Sequence, residues 1–154
     1  MRLRRVDHAG FVVSDLDRAI GFWCRALGLE VLWRLEDDGP ELRRQVGFPD
    51  ARIRIAHLGV PGCEQKIELL EYVAPPVHGS AVPRNHVGAA HVCFVVDDVQ
   101  AEYRRLRAAG VDSFVSEPVR FLDGPDAGAL AVYLRDPDGN TIELAQEPPG
   151  KGVR

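Results

Sequence analysis

The sequence predicts an α+β fold made of two βαβββ modules in one chain, and three observations carry that expectation. The segment HAGFVVSDLDRAIGFWCRALGLEV, from His8, returns in outline as HVCFVVDDVQAEYRRLRAAGVDS, from His91. Both copies switch from the period-two alternation of a strand to the three-to-four spacing of a helix. Both later reach Ile-Glu-Leu followed by prolines, at IELLEYVAPP (67–76) and IELAQEPPG (142–150). A unit repeated only twice is a duplicated module rather than a solenoid.

The elements follow in order. Residues 6–13 alternate as a strand. From Asp17 to Leu27, Ala19, Ile20, Trp23, Cys24 and Leu27 recur at helical spacing, and Gly28 supplies the stop. Residues 52–58 and 65–73 read as strands around a PGC turn. In the second copy residues 90–96 form a strand, Val99, Tyr103 and Leu106 mark a helix face, and Gly110 closes it. Strands are expected at 113–115, 129–134 and 140–145, the last two joined by RDPDGN, whose Gly and Asn tolerate positive φ. Module boundaries fall at 5–75 and 87–147, with a linker at 76–86 inside a proline-bearing stretch and a short tail at 148–154. Neither module alone covers both faces of its sheet, so a single domain of paired modules is expected across 1–154. Residues 34–50 read as irregular, either a partly helical lid over a cleft or a plain surface excursion.

Composition limits the function. The chain has 154 residues, 45% of them hydrophobic, which suffices for a real core. Its net charge of -4 leaves no basic face of the size nucleic acid requires. No stretch approaches the ~20 apolar residues of a membrane span. There is no signal-peptide pattern, and Cys24, Cys63 and Cys93 are odd in number and form no CxxC pair. Reduced thiols in a cytoplasmic protein are expected.

The duplicated polar residues carry the chemistry. His8 and His91 begin equivalent strands; Glu68 and Glu143 stand within equivalent apolar strands. If the modules are related by approximate two-fold symmetry, two imidazoles and two carboxylates converge. Such nitrogen and oxygen donors suit one divalent ion such as Zn, Ni, Co, Mn or Fe. An ion also explains carboxylates placed among apolar neighbours, where an uncompensated charge is costly. His57, His78 and His86 lack a repeat partner and are read as structural or surface residues.

HAGFVVSDLDRAIGFWCRALGLEV, KIELLE, AAHVCFVVDD and YLRDPDGNTIELAQ together resemble the vicinal oxygen chelate superfamily, the glyoxalase, bleomycin-resistance and dioxygenase group, over residues 5 to 148. The resemblance implies paired modules whose mixed sheets curl into a partly open, barrel-like enclosure around a metal, with His8, Glu68, His91 and Glu143 as ligands. Glu at the second position matches glyoxalase I-like isomerases and lyases; methylmalonyl-CoA epimerase carries Gln there. The chain departs from both. VHGSAVPRNHVGAA lacks the motif that precedes this His in bacterial glyoxalase I, and Ala90 replaces the first His of the epimerase motif. Extradiol ring-cleaving dioxygenases match at His8, His91, Glu143 and Tyr133, but LDGPDAG (122–128) offers no second catalytic His. Drug-binding resistance proteins share the fold without metal.

The implied activity is metal-dependent proton transfer, by isomerisation, epimerisation or lyase chemistry. The substrate is a small molecule chelated through neighbouring oxygens, reacting through an enediolate or enolate. Glu143 and Glu68 are the bases, Glu143 the favoured one. Cys93, Tyr133, Phe48 and Trp33 are the expected pocket walls, and Arg43, Arg44 and Arg120 are expected to receive an anionic group. A ring-cleaving dioxygenase and a non-enzymatic antibiotic-binding protein are the alternatives. Relatives of this fold are often dimers, so a homodimer is expected, with ligands supplied by one chain or exchanged between two.

Overall fold

The computed structural model describes residues 2–79 and 81–150. The chain divides into two compact units, the second beginning at Ala81, inside the linker read from the sequence. In the first unit β1 (His8–Val12) leads into α1 (Leu16–Leu27), β2 (Glu30–Asp37), α2 (Pro40–Val46), β3 (Arg52–Gly59) and β4 (Lys66–Ala74). The second runs β5 (His91–Val95), α3 (Val99–Ala108), β6 (Val119–Arg120), β7 (Leu130–Arg135) and β8 (Thr141–Gln146). Each unit holds one four-stranded mixed sheet, ordered β1-β4-β3-β2 and β5-β8-β7-β6. The repeat persists in the pairing. β1 runs parallel to β4 with Gly10 opposite Glu68, and β5 runs parallel to β8 with Cys93 opposite Glu143.

The aspartates seven residues beyond each repeated His are helix caps. Asp15 accepts from the Arg18 amide at 2.9 Å, and Asp98 accepts from the Ala101 amide at 2.9 Å. Each satisfies an amide that would otherwise lack an intrahelical partner. Gly28 ends α1 in the left-handed region at φ 76°, which only glycine adopts without strain. Arg54 bonds both Asp17, at 2.7 Å, and Glu71, at 2.8 Å, while Glu71 accepts from the Leu16 amide. The start of α1 is thereby tied to the sheet.

β3 is buried on both faces, and this orients the first unit. Ala56 and Leu58, with Ile67 and Leu69 of β4, are buried on the side of α1, where Trp23 is fully enclosed. On the opposite face Ile53 and Ile55 pack with Leu42 of α2, joined by Val46, Leu70 and Tyr72. That second face also carries His57, Glu68 and Gly10, because side chains along a strand alternate. In the second unit Val132, Leu134, Ile142 and Leu144 are buried on the side of α3.

Two expectations are corrected. Residues 34–37 continue β2, with Leu35 paired to Ile55, so the irregular stretch shrinks; within it α2 packs onto the face that carries Glu68. Residues 113–115 form no strand. Val115 gives a single backbone hydrogen bond to the Tyr133 carbonyl at 2.9 Å, and the strand beside β7 is Val119–Arg120 instead. Pro118 interrupts the donors a longer ladder would need. No helix among the described residues is long and apolar enough to cross a membrane. Of the expected tail, residues 151–154 lie outside the described residues.

Candidate active site

In the first unit one row crosses the whole sheet. Gly10 on β1 lies opposite Glu68 on β4, Glu68 opposite His57 on β3, and His57 opposite Trp33 on β2. Residues level with one another on neighbouring strands share a face, so their side chains meet. His8, one pleat before Gly10, brings Nε2 to 3.5 Å from Glu68 Oε2. Its Nδ1 lies 3.1 Å from Asp7, whose carboxylate is also paired with Lys66 at 2.9 Å. The His8 contact first, then Lys66, holds the Asp7 carboxyl at about 2, below its usual range. An imidazole whose Nδ1 faces a carboxylate presents Nε2 outward, the arrangement common to metal-binding histidines.

The other Glu68 oxygen is engaged as well. His57 Nε2 lies 3.1 Å from Glu68 Oε1, and a carboxylate can only accept, so the imidazole donates there. His57 is 7% exposed, although nothing in its repeat position marked it. Trp33 stacks on it at 4.1 Å between ring centroids with an interplanar angle of 25°. The His8 ring lies 5.2 Å from the same imidazole.

The second unit repeats the row with different chemistry. His91 Nε2 lies 3.1 Å from Glu143 Oε2. Glu143 stands between Cys93 and Tyr133 in register. Burial, then the Glu143 charge, pushes the Cys93 thiol up to about 11, and the same causes raise Tyr133. Both therefore keep their protons near neutrality beside the Glu143 carboxylate. The Arg84 guanidinium sits 5.6 Å from the centre of the Tyr133 ring.

The four expected ligands are thus gathered as two pairs, His8 with Glu68 and His91 with Glu143, each offering one imidazole nitrogen and one carboxylate oxygen. Among the described residues no three His, Cys, Asp or Glu side chains form a group able to hold a metal ion. The donor chemistry of each pair nevertheless suits a divalent ion, since an imidazole nitrogen and a carboxylate oxygen face each other; in the first pair Asp7 and His57 also hold the outer atoms. Of the expected walls, Trp33, Cys93 and Tyr133 border these pairs. Phe48 packs edge-on against Tyr72 at 6.0 Å, at the α2 end of the same face. Arg43 bonds the Ala51 carbonyl, Arg44 pairs with Glu41, and Arg120 bonds the Gly128 carbonyl, so all three serve local structure. His57 was missed by the sequence reading. The available signal was IAHL against AVYL, which sets His57 where the second repeat has Tyr133.

Comparison with known proteins agrees with this frame. The chain belongs to the Glyoxalase/Bleomycin resistance protein/Dioxygenase superfamily, whose family model matches residues 5–144. It is 33% identical to a 2-epi-5-epi-valiolone epimerase from Actinomyces sp., over 94% of this chain and 80% of that one. Lactoylglutathione lyase from Arabidopsis thaliana is 27% identical over 95% of this chain but 45% of its own length. A glyoxalase family protein from Bacillus cereus of known structure superimposes with a TM-score of 0.83 at 29% identity, covering 96% of this chain and 97% of that one.

Proposed function

We propose that the protein is a divalent-metal-dependent enzyme that moves a proton at a carbon beside a carbonyl, in isomerisation, epimerisation or lyase chemistry. The observation that carries this reading is the duplicated His–Glu pair, set in the same strand register in both units. Epimerisation is the first reaction to test, because the 33% identical relative is named for one. The substrate class is a small molecule with two neighbouring oxygens, and the metal ligands are His8, Glu68, His91 and Glu143.

A bound divalent ion would supply Lewis acidity, stabilising negative charge on the oxygen next to the carbon that loses its proton. The chain's own residues do the rest. Glu143 takes the proton on a carboxylate oxygen and returns it to the neighbouring carbon or the opposite face. Tyr133 and Cys93, which retain their protons, orient that carboxylate and steady its charge before transfer. Glu68 stays in place, and Val12, Leu35 and Leu70, one pleat along the strands, offer an apolar wall to the rest of the substrate. The free thiols of Cys24, Cys63 and Cys93 suit a reducing, cytoplasmic setting, and a homodimer is the proposed assembly.

Metal analysis beside solvent-deuterium incorporation tests the reading. Candidate polyhydroxylated cyclic ketones and 2-oxoaldehyde hemithioacetals should exchange the proton beside their carbonyl in a metal-dependent manner. Turnover of either class with no exchange or transfer of that proton would rule the mechanism out. Glu143→Gln should keep most of the metal and lose about 10²–10⁴-fold in rate, the usual worth of a positioned base.

A further inference from the structure

The two glutamates are not held alike. Glu68 Oε2 faces His8, while its Oε1 is hydrogen-bonded by His57 at 3.1 Å. His57 in turn is almost fully enclosed, stacked on Trp33 on one side and close to His8 on the other. A buried imidazole held between two rings has few alternative rotamers. Its hydrogen bond therefore restricts the carboxylate to one orientation.

The second unit is built differently at this position. Tyr133 occupies the cross-strand position beside Glu143, and the neighbouring strand, Val119–Arg120, pairs with Ala131 and Leu130. Tyr133 itself is bordered by the Val115 amide, which donates to its carbonyl, by the Arg84 guanidinium and by the edge-on His91 ring.

We propose that His57 is a positioning residue, clamped by Trp33, which fixes Glu68 as a one-oxygen metal ligand through Oε2. This rests on the reading of His8, Glu68, His91 and Glu143 as a metal site, and deepens it by naming the residue that sets the orientation of one ligand. Side chains that orient metal ligands in this way commonly contribute 10–100-fold in affinity. The ordering cost of the carboxylate is met before the ion arrives.

The test is a Co²⁺ titration of the full chain against a competing chelator, with the visible Co²⁺ spectrum as a second readout and circular dichroism to check folding. His57→Phe keeps a ring for Trp33 to stack on and removes the donor. It should weaken Co²⁺ binding about tenfold or more and alter the spectrum, whereas His57→Gln, which retains an N–H donor, should recover much of the affinity. In a Glu68→Ala background His57→Phe should have no further effect. Should His57→Phe not fold, His57→Met against His57→Gln makes the same comparison at equal chain length.

Unchanged affinity in His57→Phe, with wild type binding normally, overturns the role of His57 and leaves the metal site standing. An equal loss with and without Glu68 also overturns it, since the effect would not run through that carboxylate. Wild-type protein that takes up no divalent ion overturns the metal site, and this proposal with it.

Discussion

Cys93 shows how one side chain's surroundings set its chemistry. Its position on β5 leaves it open to solvent, but the protein around it and the Glu143 charge oppose the thiolate, pushing the thiol to about 11 from 9.0. Alkylation by iodoacetamide, followed by mass spectrometry, should lag a free thiol at pH 8 and rise only as the pH nears 11. Because the unfolded thiol ionises first, folding stability should fall as pH climbs from 9 through 11. Asp7 works with the opposite sign. Its carboxyl is held at about 2 by His8 and Lys66, so its contribution is complete above its usual 3.8 and disappears as pH falls toward 2. Denaturant unfolding of wild type and Asp7→Asn should therefore converge in acid. Gly10 has its own constraint: a Cβ there would lie 3.2 Å from Glu68 Oε2. Gly10→Ala should disturb that carboxylate more than it disturbs the fold, seen as weaker metal uptake at nearly unchanged melting temperature.

Among the elements, α2 has the clearest division of labour. Seven residues are too few for a helix to persist in water, and α2 depends on burying Leu42 and Val46 against Ile53, Ile55, Leu70 and Tyr72. Leu42→Ala should cost about 2–4 kcal/mol, including the cavity it leaves, measured by denaturant unfolding. Its effect should also reach the site face through Leu70, which shares a strand with Glu68. The longer helices depend more on their caps. Asp15→Ala and Asp98→Ala should each cost about 1 kcal/mol, with the same measurement as the check. The glycine stop of α1 and the alternation on β1, β4, β5 and β8 were legible in the sequence because each depends on neighbours within a few residues. β2 was assigned no range from the sequence, although Trp33 and Leu35 alternate with Arg34 and Glu36; its side chains are mostly exposed, and its pairing with β3 defines it.

For the molecule as a whole, duplication supplies one His–Glu pair in each unit. The proposed ion with four protein ligands would need both. Val31 at 44% and Leu32 at 53% on β2, with Val95 at 64% on β5, leave apolar surface that the proposed homodimer would cover. Sedimentation at micromolar concentration should give a homodimer with one divalent ion per chain. His8→Ala combined with His91→Ala should empty the site; full metal occupancy in that double variant would place the ion elsewhere.

The sequence by itself determined the duplication, the α+β class, the glycine stop of α1, and the equivalent strand placement of His8 with His91 and of Glu68 with Glu143. All of these are written in short-range periodicity or in direct repetition, and a strand's alternation fixes which neighbours share a face. Tertiary structure alone decided that His57 meets Glu68, that Trp33 covers His57, and that α2 lies on the site face. Cross-strand register depends on the length and path of each connection: eleven residues separate His57 from Glu68, while ten separate Tyr133 from Glu143. That one-residue difference hides the correspondence along the chain, and only hydrogen-bonded pairing of the strands restores it.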